Sequence, residues 1–306
     1  MARSYRRARR KYSVLDLIPA EFRRRAWTFV VRLYLTLAVA TILCSCFVIL
    51  RNYVAGLDCY QVATRTLVPR SLPSWAGQAV RRDLAVLPGL PKRFSIMEPG
   101  ISERVARAFE SNPWVAEVLS VRKVYPNRMV VQLRLRRPVA GVRVGGRFAL
   151  VDASGHRLTA GIRRWPKGTE ALPVIVAAEG LPPKVGEAWS SEGVRAGAAV
   201  AEALLAGRRE LRTRFAAIDV TNVGGRRNRH KSDIVLVTHK GTQVSWGRQA
   251  SDYSPGELTA DEKISKMVMF EEKRGPLSGY RYVDIRFDDV LHGPRLRVAS
   301  GEPGVR

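Results

Sequence analysis

Acidic residues are scarce in this chain of 306: 27 Asp and Glu stand against 52 Lys and Arg, a formal net charge of +25. An excess of that size speaks to anionic partners, such as nucleic acid, an anionic membrane surface or a wall polymer, and not to fold. Cysteine is nearly missing too. Cys44 and Cys46 fall in an apolar run and Cys59 stands alone beyond it, so no internal disulfide can tie the part after that run. The four histidines, His156, His230, His239 and His292, are scattered, with no pair at metal-ligand spacing on a helix. There is no Gly-x-Ser-x-Gly elbow and no phosphate-cradling Gly-Lys-Ser/Thr loop. Asp284 and Asp288 would share a strand face, but two carboxylates on a strand are more often solvated or structural than an acid/base pair. The sequence therefore points to a non-enzyme without cofactor or metal. What it does contain is enough apolar material, 46%, for a core or two.

The position of the charge is informative. The first 32 residues hold ten Lys and Arg, among them Arg3, Arg6, Lys11 and the triplet Arg23, Arg24 and Arg25, against only Asp16 and Glu21. Leu33 to Leu50, "LYLTLAVATILCSCFVIL", follows with no charge, and Trp27, Tyr34 and Tyr53 flank it as interfacial aromatics do. At about 1.5 Å per residue the run crosses most of a hydrocarbon core of about 30 Å, with Arg32 snorkelling to the interface. Its length exceeds that of a signal-peptide core, and "RNYVAGLDC" makes a poor cleavage site, so a retained anchor is expected. The positive-inside rule puts the Arg-rich tail in the cytoplasm and the remainder outside it. Subtracting the first 32 residues leaves 42 basic and 25 acidic residues in that remainder.

Beyond the anchor, the alternating run Cys59 to Val68 predicts a strand, and "SWAGQAVRRDLAV" a helix with Ser74 as N-cap. "ISERVARAFESN" predicts a second helix, capped by Ser102, with Ile101, Val105, Ala108 and Phe109 on one face and Pro113 as its stop. Val115 to Val124 and Met129 to Arg137 read as two strands joined at "YPNR". Val131, Leu133 and Leu135 alternate with Gln132, Arg134 and Arg136, so the basic residues form the solvent face of a half-buried strand. The expected order is strand, helix, helix, strand, strand, a small α+β layer.

"NPWV", "SVRKVYPNRMVVQL" and "RRPVA" together resemble the POTRA domain of the FtsQ/DivIB cell-division proteins. The matching residues are Pro113, Trp114, Val115, Val121, Arg122, Lys123, Tyr125, Pro126, Pro138, Val139 and Ala140. "FSIMEPGI" resembles the family's segment between the two helices, while Leu135 departs from an acidic residue often found three places before the proline. The likeness continues. "GRFALVDASGHRL" reads as a hairpin turning at Ala153 to Gly155 and is similar to the opening of the family's β-rich domain; "LPVI" at Leu172 to Ile175 fits the next landmark. A helix over Glu192 to Leu205 follows, then the strands "FAAIDV", "DIVLVTH" and "TQVSWG", with a tight turn at His239 to Gly241. "TADEKISKMVMFEE" is a helix opened by a Thr259/Glu262 capping box, and Tyr280 to Val290 alternates as a strand resembling the family's late Tyr-x-Asp-Ile-Arg-Phe element.

The expected fold class is therefore α+β: a single transmembrane helix, then a POTRA domain (β-α-α-β-β) and a β-rich domain with flanking helices. The expected segments are a basic tail 1–26, an anchor 27–50, a POTRA-like domain 51–140, a β-domain 141–292 and a flexible tail 293–306. The resemblance implies a divisome scaffold at the septum that binds the membrane-anchored coiled-coil proteins FtsB and FtsL. A strand that comes last in a sheet can leave an edge for β-augmentation, which singles out Tyr282, Val283, Asp284, Ile285, Arg286 and Phe287 as partner-binding. Against this, Val283, Ile285 and Phe287 would equally serve as core. "GGRRNRHK", Gly224 to Lys231, lacks an aromatic to stack a base and reads as a solvated loop, so no nucleic acid is expected. The alternatives are a basic membrane-anchored adaptor for anionic wall polymer, and a POTRA module for protein secretion, which would need a membrane barrel that the remaining chain does not supply.

Overall fold

The computed structural model describes residues 19–69, 72–163, 172–207, 211, 213–249 and 256–295. Most of the basic tail (1–18) and the segment 296–306 lie outside the described residues. Those described form two compact units that meet in sequence at Gln61 and Val62.

The first unit is dominated by one helix, α1 (Ala20–Gly56), 37 residues long. At about 1.5 Å per residue it exceeds the roughly 30 Å of a hydrocarbon core, and its charge-free stretch lies between Arg32 and Arg51. Its surface is apolar on every side and its large side chains are exposed. A helix of that kind needs a lipid or protein environment. The hydroxyls of Thr28, Thr36 and Thr41 donate, each at 2.8 Å, to the carbonyls of Arg25, Leu33 and Leu37, so they present no unsatisfied donor to an apolar surrounding.

The second unit opens with a layer that departs from the expected order. The strand expected over Cys59 to Val68 shrinks to β1 (Gln61–Ala63), set between single 3₁₀ turns at Asp58–Tyr60 and Thr64–Thr66. Local side-chain bonding breaks it: the Thr66 hydroxyl donates to the Ala63 carbonyl at 2.6 Å, and that of Thr64 to Pro91 O. Helix α2 (Gln78–Leu84) starts after Gly77, and Ser74 caps nothing, because Pro73 to Gly77 are spent on a turn closed by Ala76 N–H and the Pro73 carbonyl at 2.8 Å. An unexpected β2 (Arg93–Ser95) lies in the interhelical segment and pairs with β1. Helix α3 (Ile101–Glu110) begins after Gly100, so Ser102 is inside it; its face of Ile101, Val105, Ala108 and Phe109 is buried as the spacing predicts.

Strands β3 (Val115–Val124) and β4 (Arg128–Leu135) pair antiparallel through a turn with a cis Tyr125–Pro126 bond. The sequence order is thus β-α-β-α-β-β, with β1–β2 and β3–β4 as separate two-stranded ladders in place of the single sheet expected of β-α-α-β-β. Met129 and Val131 are buried while Gln132 and Arg134 face solvent, Arg134 bridging to Glu117 across the ladder. Trp114 bolts the layer together. Its buried indole N–H donates to Asp83 Oδ2 at 2.9 Å, and Asn112 reaches the Asp83 carbonyl at 2.8 Å.

The rest is one mixed eight-stranded sheet of β5 (Ala140–Val144), β6 (Arg147–Val151), β7 (Val174–Val176), β8 (Phe215–Asp219), β9 (Ile234–Thr238), β10 (Gln243–Gly247), β11 (Tyr282–Asp284) and β12 (Leu291–His292). Its spatial order is β12-β11-β10-β9-β8-β7-β5-β6. Three pairs are parallel: β5/β7, whose connection runs through β6, and β7/β8 and β10/β11, whose crossovers are supplied by α4 (Glu192–Ala206) and α5 (Ala260–Arg274). The sequence predicts both helices, and the Thr259/Glu262 capping box is formed. Its bonds to Thr259 hold the Glu262 carboxyl below its usual range. A core built on Trp246, Phe215, Ile175, Ile218 and Leu236 joins the sheet to α4 and α5. At Gly193 and Gly197 of α4 an added Cβ would come within 3.0 Å of Val220, so glycine lets the helix lie directly on the strand end.

Arg136, expected on the solvent face, instead turns back. Its Nη1 donates to Asp152 Oδ2 at 2.8 Å, while Asp152 Oδ1 accepts from the N–H groups of Ser154 and His156 at 3.0 and 2.8 Å. Three residues later Val139 N–H bonds the Val151 carbonyl at 2.9 Å, so the small layer passes into the large sheet without a linker. Asp152→Ala strands the Arg136 charge and two backbone donors, and should cost about 2–3 kcal/mol, since Arg136 keeps partial access to water. Denaturant unfolding of the full chain checks this.

Candidate docking edge

At one end of the sheet β6 is covered by its own returning chain: Phe148 and Ile162 exchange backbone bonds at 2.8 Å, and Leu158 N–H reaches the Leu150 carbonyl at 2.8 Å. At the other end stands β12, two residues long and paired antiparallel with β11. The late strand predicted over Tyr280 to Val290 is therefore neither as long nor as peripheral as the sequence implied. Its ladder runs only from Tyr282 to Asp284, between β10 and β12, and the chain bends from Arg286 onward.

The bend has a local cause. Asp284 Oδ1 accepts the Arg286 backbone N–H at 3.1 Å, and the two carboxylate oxygens take the Arg286 guanidinium at 2.8–3.1 Å. Those side-chain bonds raise the Arg286 pKa further above an already high value. On the inner side, the Arg286 carbonyl accepts Leu258 N–H at 2.8 Å, and the 256–258 segment is held by Glu257, whose Oε1 takes the Lys263 ammonium at 2.6 Å. Lys263 is 3% exposed and lies 5.2 Å from the Trp246 ring centre, a cation held by a carboxylate and an aromatic face together.

The six residues predicted to bind a partner thus divide. Val283 and Ile285 are fully buried core, and Asp284 and Arg286 occupy each other. Tyr282 at 47% and Phe287 at 45% exposure offer aromatic surface, with the Arg286 guanidinium 5.2 Å from the Phe287 ring centre. Asp284 and Asp288 are held by different cations, Arg286 and Lys266. The expected solvated loop Gly224 to Lys231 connects β8 to β9 and is shaped by Asn222, whose Oδ1 accepts from Arg227 and Asn228 N–H and whose amide bonds the Asn228 carbonyl at 2.9 Å. Beside it, burial pushes the Asp233 carboxyl above its usual range against the lowering pull of Gly224 N–H.

The family model described as "Cell division protein FtsQ/DivIB, C-terminal" matches residues 140–286, from the first strand of the large sheet to the arginine at the bend. Residues 140–286 thus carry the C-terminal domain of the FtsQ/DivIB family. No curated protein matches the chain. That family is one of non-catalytic cell-division proteins, which supports a role in cell division, and with α1 the match suggests a single-pass membrane protein at the division site.

The edge itself, β12, lies just past the matched segment. Leu291 is 63% exposed and pairs with Asp284; His292 pairs with Val283. Its signal in the sequence was faint: two acidic turn formers, an apolar residue, then Gly293-Pro294. Gly293 is demanded by close approach, since its N–H donates to the Tyr282 carbonyl at 2.9 Å and a Cβ would sit 2.6 Å from the Tyr282 ring. Pro294 has no N–H to offer a further strand. Behind the edge, the Tyr280 hydroxyl donates to the Arg274 carbonyl at 3.0 Å, and its ring meets those of Phe270 and His292 edge-on, each with centroids 5.1 Å away.

Gly293→Ala should displace the Tyr282 ring and destabilise the chain by about 1 kcal/mol, most of which Tyr282→Ser in the same chain restores by removing the clash. Denaturation midpoints of the two variants and their combination measure it.

Proposed function

We propose that this chain is a non-enzymatic bitopic scaffold of the divisome, with its N-terminal tail in the cytoplasm and the second unit outside it. The charge asymmetry about α1 supports that orientation. Residues 51–140 form the POTRA-like part and 141–292 the β-domain; the β3–β4 hairpin and the Asn112-Pro113-Trp114 corner support the first assignment, and the family match the second. The partners are FtsB-like and FtsL-like membrane coiled-coil proteins.

The observation that carries this reading is the sheet end at β12, a short strand whose surroundings expose Tyr282, Phe287 and Leu291. A partner segment adds there as a further strand, its backbone pairing with β12 and its side chains covering those three apolar groups. Tyr282 and Phe287 retain the partner role expected of them, Val283 and Ile285 support it as core, and the Asp284–Arg286 pair sets the bend between strand and aromatic.

Full-length protein in nanodiscs, titrated with the extracytoplasmic parts of the host's FtsB-like and FtsL-like proteins, tests it. Leu291→Asp and Phe287→Ser should weaken binding about tenfold or more, near 1.4 kcal/mol, while Leu119→Asp on β3, also an exposed site, should not. Binding that both edge variants keep and that salt abolishes would favour the charge-driven adaptor.

A further inference from the structure

The fastening of β12 depends on the protonation state of one ring. His292 Nε2 lies 2.9 Å from Arg274 Nη1 at the end of α5, and its Nδ1 lies 3.2 Å from the Gly293 carbonyl. Arginine has donors and no acceptor, so Arg274 gives the hydrogen and Nε2 must present a lone pair. The remaining proton is then on Nδ1, directed at the Gly293 carbonyl. The bond at Nε2 therefore exists only with a neutral imidazole.

The neighbours of the ring are cationic or apolar. On α5 the ring faces Arg274, with Lys273 in the same turn and the apolar ring of Phe270 at 5.8 Å. Glu271 of that helix is taken by Leu277 N–H at 3.1 Å and by Arg214 at 3.4 Å. Before β11 stands Tyr280, and within the returning edge Arg295 donates to the Arg274 carbonyl at 3.0 Å and lies 5.6 Å from the Tyr280 ring centre. Val283, the cross-strand partner of His292, is apolar. Among the described residues no carboxylate bonds the ring. A proton on Nε2 would meet the Arg274 N–H head on and place a third cation beside Arg274 and Arg295. Besides this bond, β12 is held by two ladder pairs with β11, by the Gly293 and Arg281 backbone bonds that follow, and by Arg295 at the Arg274 carbonyl and the Tyr280 hydroxyl.

We propose that His292 is a proton-operated latch on the sheet edge that β12 forms among the described residues: the neutral ring holds β12 to α5, and protonation releases it, so acidification loosens the strand. Its meaning for partner capture rests on the docking reading above; the latch itself does not.

Hydrogen exchange of the full-length protein in nanodiscs without any partner tests it, following peptides that cover 280–295 and normalising to β3–β4 peptides in the same sample. Wild type should protect 280–295 at about pH 7.5 and exchange it several-fold faster at about pH 5.5. His292→Gln keeps an acceptor for Arg274 and a donor for Gly293 without titrating, and should stay protected at both. His292→Lys places a fixed charge there and should be open at both. A wild type indifferent to pH, a Gln variant that follows wild type or is open throughout, or a Lys variant as protected as neutral wild type would each overturn the latch. Titration with the FtsB-like and FtsL-like parts is a separate arm, so a working latch without binding would sink only the docking reading.

Discussion

An open sheet of eight strands ends in two rows of backbone groups that need partners, and the rest of this second unit is arranged around that constraint. At the β6 end the chain answers it internally, by folding 156–162 back along the strand. At the β12 end it supplies only two residues, and then Gly293 and Pro294. What lies behind that second end is unusually well fastened: α5 is capped by Thr259 and Glu262, Lys263 is buried between a carboxylate and a tryptophan, and Tyr280 ties the end of the helix to the strand. A rigid backing with a slight, exposed outer strand is what β-augmentation uses, because the partner then supplies most of the ordering and the host little.

The same economy appears where the small layer meets the sheet. Arg136 is read from alternation as one more solvated cation, yet Asp152 draws it inward and that bond fixes how β4 passes into β5. Much of the remaining positive charge needs no such account. Arg134 sits across from Glu117, and Arg226 is bridged by Glu179 and Glu192, so part of the net excess is neutralised locally on the surface. Exposed pairs of that kind add little stability.

What could be read from the sequence depended on how far each signal extends along the chain. The apolar run around Leu33–Leu50, the α3 face of Ile101, Val105, Ala108 and Phe109, the β3–β4 alternation and the capping box of α5 are periodic or paired over many residues, and each corresponds to an element. The failures are places where a single polar side chain overrode a periodic pattern. Thr64 and Thr66 broke the first strand, the Pro73–Gly77 turn displaced the start of α2, and Asp284 bent the late strand after three residues. The candidate site suffered most from this. Alternation placed Val283, Ile285 and Phe287 on one docking strand, whereas two of them are core and the real edge, β12, is a pair of residues too short to carry any period.

The central claim is that the β12 end of the sheet meets partner proteins in the dividing cell. Photo-crosslinking from Leu291 and from Phe287 in living cells tests it most directly, with Leu119 on β3 as the control position. The account predicts adducts to small membrane-anchored division proteins from the first two positions and none of that kind from the third. Adducts to those proteins from Leu119 alone, or none from either edge position, would contradict it.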